Sequence, residues 1–188
     1  LYYRATKIAL EGLQHFIERF EKLSLEESRN ADGPQRKEEL AEIGRVCGHV
    51  KSGAPQSFHE ALQLTYFIQL VLQIESNGHS VSLGRMDQYL YPFYEKDIQT
   101  GRITREYAME LLENVWLKLL SINKIRSWSH TRYSAGSPLY QNVTIGGQTP
   151  EGTDAVNELS YLILNTVGKL KLTQPNLSVR YHSGISNE

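Results

Sequence analysis

Apolar positions in the first quarter of the chain recur at three- and four-residue intervals. From Tyr2 to about Leu25 the residues Ala5, Ile8, Ala9, Leu13, Phe16, Ile17, Phe20 and Leu23 mark one face of an α-helix. The polar run from Ser24 to Gly33 predicts its end, and Pro34 suits the first turn of a second helix. Leu40, Ile43, Val46, Cys47 and Val50 form that helix's buried face. After a Gly/Pro break at Lys51–Gln56, Ser57 and Glu60 have the spacing of a capping box, and Leu62–Ile74 is apolar almost all round, which predicts a buried helix. Asp97–Gly101 reads as a turn, and Thr104 as the cap of a helix whose inward stripe runs from Tyr107 to Leu120. Arg126–Gln141 reads as a long polar loop, of a kind that binds something or covers a site.

The pattern then changes period. Asn142–Ile145, bounded by Gly146-Gly147, reads as a strand, and Glu151–Lys171 as an amphipathic helix. Leu177, Val179 and Tyr181 alternate with Asn176, Ser178 and Arg180, the period of a second strand. Strand, helix, strand predicts a crossover with the two strands parallel. The fold class is therefore α/β and helix-rich: residues 1–125 are mainly helical, and 126–188 are a loop followed by strand–helix–strand.

Chemistry concentrates in Glu75–Tyr94, where the apolar helix should end. Asn77, His79 and Ser80 can all hydrogen-bond, and Gly78 frees the backbone between them. Arg85 and Asp87 follow, read as an ion pair or backbone clamps that fix the loop beyond the site. His130, Arg132 and Ser134 are further candidates for polar contacts within the long loop. Cys47 reads as core packing, and His59, near a helix start, as a helix-end or packing histidine.

The composition narrows the function classes. Of 188 residues, 40% are hydrophobic and 22% charged, as expected of one globular domain, and the formal charge of −1 gives no electrostatic case for nucleic acid or a membrane surface. No apolar run approaches the roughly 20 residues of a membrane span, so the expected compartment is cytoplasmic. A single cysteine excludes an intrachain disulfide, and scattered histidines give no metal spacing. No phosphate-binding glycine loop or serine elbow occurs. The start at Leu1 within a helical pattern, and the stop just after a strand, read as an excerpt of a longer chain.

Five stretches, in order, resemble the glycyl radical enzymes, specifically their pyruvate formate-lyase-like domain. They are Ser57–Gln63 (SFHEALQ), Gln73–Tyr94 (QIESNGHSVSLGRMDQYLYPFY), Ser134–Gln148 (SAGSPLYQNVTIGGQ), Asp154–Ser160 (DAVNELS) and Gln174–His182 (QPNLSVRYH). The nearest likeness is to the branch named formate acetyltransferase-like, which includes glycerol dehydratase-like members. The resemblance implies a fragment of a ten-stranded α/β barrel built of two five-stranded halves. Residues 1–188 would be part of one such domain, contributing outer helices and the first strands of one half-barrel.

In that family an activating enzyme using S-adenosylmethionine and an iron–sulfur cluster installs a glycyl radical, which passes to a cysteine that abstracts hydrogen from substrate. Neither the radical-glycine nor the cysteine-loop motif occurs here, so the fragment alone is expected to be inactive, with no catalytic residue, bound cofactor or metal of its own. The resemblance implies that His79 and Ser80 contact substrate hydroxyls, with Asn77, Gly78, Arg85 and Asp87 as structural support. It further implies a small-molecule substrate, the activating enzyme and a second copy of the full-length chain as partners. The leading expectation is a C–O lyase (dehydratase) of a small polyol. Two alternatives stay open: a formate C-acetyltransferase using pyruvate and CoA, and a non-catalytic helical interaction module.

Overall fold

Helix α1 (Tyr2–Asn30) continues past Leu25, where the polar run was expected to end it. Leu25, Glu26 and Glu27 are strong helix formers, and Ser24 and Ser28 are buried rather than solvated, Ser28 Oγ donating to Lys37 O at 2.8 Å. The partner is α2 (Pro34–Val50), which starts with Pro34 in its first turn as expected. A Cβ at Gly44 would lie 2.7 Å from Leu25 Cδ2, so glycine is what lets the two helices approach. Helix α3 (Phe58–Glu75) follows, with Ser57 Oγ accepting from Glu60 N–H at 3.2 Å and the Glu60 carboxylate accepting from Gln56 N–H at 2.6 Å.

This computed structural model describes residues 1–76, 80–133 and 139–185. The chain forms two units, Leu1–Phe67 and Ile68–Glu188, with the boundary inside α3. The first has a core of Ile17, Cys47, Val50 and Phe67, with Leu13, Phe16, Ile43 and Leu64 against it. Cys47 thus sits in core packing, as its place on α2 predicts.

The second unit carries a three-stranded parallel sheet in the order β1 (Gly84–Arg85), β2 (Asn142–Gly146), β3 (Asn176–Arg180). The parallel pairing of β2 and β3 matches the expected crossover. β1 was not anticipated, because two residues are too short to show a period. Two short helices, α4 (Met86–Tyr89) and α5 (Tyr91–Gln99), also escaped the pattern. α5 overruns the turn expected at Asp97–Gly101: only Thr100 and Gly101 turn, and Gly101 takes a φ of 67°.

Helix α6 (Arg105–Ser121) is capped as expected, Thr104 Oγ1 accepting from Tyr107 N–H at 3.1 Å. The stretch read as one long polar loop contains α7 (Trp128–Tyr133). Helix α8 (Glu158–Leu170) starts later than the expected Glu151. Residues 151–157 are instead turns and a bridge between Gln148 and Asp154, and the helix begins only where Asn157 and Ser160 form a capping box.

Leu112, Trp116 and Leu119 of α6 and Leu159, Leu162 and Ile163 of α8 are buried where these helices pack, as are Val143 and Ile145 of β2. The expectation that α3 is buried all round does not hold for its second half. Ile68, Leu72 and Ile74 are exposed, because nothing among the described residues covers that stripe. No helix among the described residues is long and apolar enough to cross a membrane.

Two consequences can be measured. Burial, with the Glu21 charge adding to it, pushes the Cys47 thiol up to about 11, so almost no thiolate exists near neutrality. Disulfide-exchange reagents at about pH 8 should modify Cys47 slowly in the native protein and promptly in denaturant. Burial also holds the His59 imidazole below its ordinary 6.5, against the opposing pull of Glu42 and Glu60. The unfolded chain therefore takes up that proton first as the pH falls, so stability is full above about pH 6.5 and declines below it. The denaturation midpoint should drop across this window, and His59→Phe should flatten the drop.

Candidate functional site

The loop after α3 begins with residues 77–79, so Asn77, Gly78 and His79 lie outside the described residues, as does Ser134. Ser80 is described. Its backbone takes a φ of 60°, a conformation uncommon for a residue with a Cβ, and its N–H donates to Leu139 O at 2.8 Å. Three residues on, Leu83 N–H donates to Asn142 O at 2.9 Å, so this loop runs alongside the entry to β2. The Ser80 residue is exposed.

Two buried glutamines hold this loop, and the sequence reading missed both. Gln69 Nε2 donates to Val81 O at 2.9 Å and to Gln141 Oε1 at 3.0 Å. Gln141 Nε2 donates to Leu119 O at 2.9 Å, and its backbone carbonyl accepts from Asn176 N–H at 2.9 Å. One amide pair thus joins α3, the 80–83 loop, α6 and the entries to β2 and β3. A signal was present: Gln69 and Gln73 interrupt an otherwise apolar run one turn apart, and buried amides need partners. Gln73, also buried, has neither amide atom bonded among the described residues.

Beyond the loop, the Arg85–Gln88 stretch reaches to the segment between β2 and α8. Arg85 Nη1 donates to Gln148 O at 3.1 Å, and Gln88 Nε2 to Ala155 O at 2.8 Å. Asp87 is fully buried, and its Oδ2 accepts from Gly146 N–H at 2.7 Å and from Ser160 Oγ at 2.6 Å. Asn157 Nδ2 donates to Asp87 O at 3.0 Å. Asp87 therefore joins the end of β2 to the capping box that starts α8, while Arg85 and Asp87 make no ion pair with each other.

Of the long-loop candidates, the Arg132 guanidinium sits 5.3 Å from the centre of the Trp128 ring, within α7 itself. His130 is partly buried, and its backbone N–H donates to Ser127 Oγ at 3.3 Å. A histidine not singled out as a site residue, His182, follows β3. Its Nδ1 accepts from Gly184 N–H, so the ring proton is on Nε2, 3.2 Å from Asp154 Oδ1. Among the described residues no three His, Cys, Asp or Glu side chains group as metal ligands.

Asp87→Ala should leave Gly146 N–H without its acceptor and the Ser160 hydroxyl proton with only the longer contact to Asn157 Oδ1 at 3.4 Å. Each buried donor so orphaned costs about 1–3 kcal/mol. Asp87→Asn, which keeps one acceptor oxygen, should cost less. Denaturant melts check this, and a loss no larger than that of the exposed Glu151→Ala would refute it.

The comparisons place this geometry among known proteins. A profile described as Pyruvate formate lyase-like matches residues 1–188. The protein named "Probable dehydratase YbiW" from Escherichia coli (strain K12) is 54% identical over 98% of this chain, which covers 23% of that protein. A solved structure concerning 1,2-propanediol dehydration in Roseburia inulinivorans superposes with a TM-score of 0.91 at 43% identity, over 94% of this chain and 21% of that one. The glycerol-bound B12-independent glycerol dehydratase from Clostridium butyricum gives 0.90 at 42% identity, over 94% of this chain and 22% of its own. The chain thus spans less than a quarter of the length of these relatives, with the helix-rich α/β fold of the corresponding part of glycyl radical enzymes. Matched along its whole length, it belongs to the Pyruvate formate lyase-like family.

Proposed function

We propose that this chain is part of a glycyl radical C–O lyase that dehydrates a small hydroxylated compound, and that His79 and Ser80 hold the substrate's hydroxyls. The observation that carries the reading is the agreement with two dehydratase structures, TM-scores 0.91 and 0.90 at 43% and 42% identity, over 94% of this chain. Ser80 adds physical support. Its backbone is held in a left-handed conformation by the bond to Leu139 O while the residue itself stays uncovered in these 188 residues. The Gln69–Gln141 pair stiffens the same loop from behind, which is what positioning a hydroxyl requires.

The radical that abstracts a substrate hydrogen comes from the glycine and cysteine loops of the full-length enzyme, installed by a partner that uses S-adenosylmethionine and an iron–sulfur cluster. The residues of this chain do the remaining work. Ser80 Oγ donates to or accepts from one hydroxyl, and the His79 imidazole can supply the proton that lets the neighbouring hydroxyl leave as water. Asn77 and Gly78 are assigned to structural support of the pair, and Arg85 and Asp87 anchor the segment that follows it. On this reading the full-length enzyme is a cytoplasmic homodimer, and residues 1–188 are one part of a single barrel domain.

The test is an anaerobic assay of the activated full-length protein with glycerol and propane-1,2-diol, against pyruvate plus CoA. Ser80→Ala should lower kcat/KM for the diol by up to about a hundredfold, since a buried hydroxyl without its partner costs roughly 1–3 kcal/mol and each 1.4 kcal/mol is about tenfold. His79→Ala should cost more if the imidazole also moves the proton. Cleavage of pyruvate to formate and acetyl-CoA with both alcohols untouched would replace the dehydratase reading with the acetyltransferase one.

A further inference from the structure

Two arginines, Arg85 and Arg180, stand at the ends of β1 and β3. Arg85 stands in register with Thr144, Thr144 with Ser178, and Gly146 with Arg180, so both arginines project from the same face of the sheet as Thr144 and Ser178. They converge on one dipeptide. Arg85 Nη1 donates to Gln148 O at 3.1 Å. The stem of Arg180 lies over Gly147, where a Cβ would come within 3.2 Å of Arg180 Cβ and 3.3 Å of its Cδ. Gly147, at a φ of 87°, leaves that space open.

Among the described residues neither cation has a counter-ion: no carboxylate lies within 4.0 Å of either guanidinium. Asp87 is bonded to Gly146 N–H and Ser160, and Asp154 faces His182. Arg85 Nε and Nη2 are closed off from solvent and have no hydrogen-bond partner among the described residues. A guanidinium with one edge closed off and unused is costly unless an anion nearby offsets its charge. Arg180, by contrast, is exposed and open to approach. Parallel sheets are ordinarily covered on both faces, yet β3 is exposed along nearly its whole length.

We propose that an Asp or Glu side chain from the part of the full-length polypeptide outside these 188 residues docks on Arg180 at the ends of β2 and β3, neutralising the Arg180–Arg85 pair. Charge complementarity and the length of the missing chain select this occupant: relatives are more than four times as long as the stretch they share with this one. A carboxylate carried on the folding chain arrives with its segment, where a free anion would have to be captured. The proposal rests on the reading of this chain as part of a longer one, and not on which substrate the enzyme takes.

The experiment uses unactivated full-length protein. Arg180→Met should lower the thermal midpoint at neutral pH, with the gap to wild type closing as the pH approaches about 4 and carboxylates protonate. Arg180→Lys should retain most of the midpoint, and carbodiimide should join its introduced amine to one carboxylate. Mass spectrometry of that peptide is expected to identify an Asp or Glu of the same chain outside residues 1–188. The proposal is overturned if no cross-link forms, if the link falls within residues 1–188, or if it joins two copies. It is equally overturned if Arg180→Met melts with wild type at every pH, or if sulfate or acetate stabilises wild type but not Arg180→Met without any cross-link, which assigns the position to a diffusible anion. Because cross-linking and melting need no turnover, failure of the dehydratase reading leaves the outcome unaffected.

Discussion

The second unit depends on one buried carboxylate. Asp87 accepts from Gly146 N–H at the end of β2 and from the Ser160 hydroxyl in the first turn of α8, while its own carbonyl takes the Asn157 amide. A buried carboxylate needs donors in place of water, and those of Oδ2 come from two elements far along the chain from Asp87 itself. Setting that carboxylate fixes three things together: where β2 stops, where α8 starts, and how the short β1–α4 segment lies against both. Asn157 and Ser160 cap α8 reciprocally, so the helix start and the Asp87 bond support each other.

A second constraint acts at the other end of the strands. The Gln69–Gln141 pair places an amide hydrogen-bond bridge among α3, α6, the 80–83 loop and β2. Amides suit this position because each donates and accepts at once, so a single pair can satisfy carbonyls on several elements without burying charge. The loop that contains Ser80 is thereby tied to strands at its exit, through Leu83 and Asn142, and to α3 from behind. The arrangement suits the substrate contact proposed for Ser80, since the energy of a hydrogen bond to a hydroxyl depends on the donor being in place beforehand.

Exposed apolar surface on α3 and the exposure of β3 belong to the same picture as the short coverage of the relatives. Helices and strands shaped to pack against further elements leave those faces open when the elements are not in the chain. The two arginines at the strand ends, with no carboxylate within 4.0 Å among the described residues, are the polar counterpart of these open faces.

The sequence by itself determined the elements with a strong period or a local signal. α1, α2 and α6 were legible from apolar stripes, Pro34 and Thr104, α3 from its capping box and a run apolar almost all round, β2 from β-branched residues bounded by glycines, and β3 from alternation. Their parallel pairing followed from the crossover rule. The family was legible too, from long ordered stretches and not from any short motif. What only the tertiary structure decided is where local signals are weak or point the wrong way. The polar run at Ser24–Asn30 stays helical because Ser24 and Ser28 are buried, Ser28 bonding Lys37 O. The helix expected from Glu151 waits until Asn157, because bonds at Gln148, Thr149 and Asp154 hold the intervening residues in turns. A two-residue β1 exists only because β2 offers it a neighbour. Gln141, the side-chain partner of Gln69, and the partners of the Asp87 and Arg85 side chains lie about sixty to seventy residues away, and no periodicity within a window of a few turns can reveal a hydrogen bond across that distance.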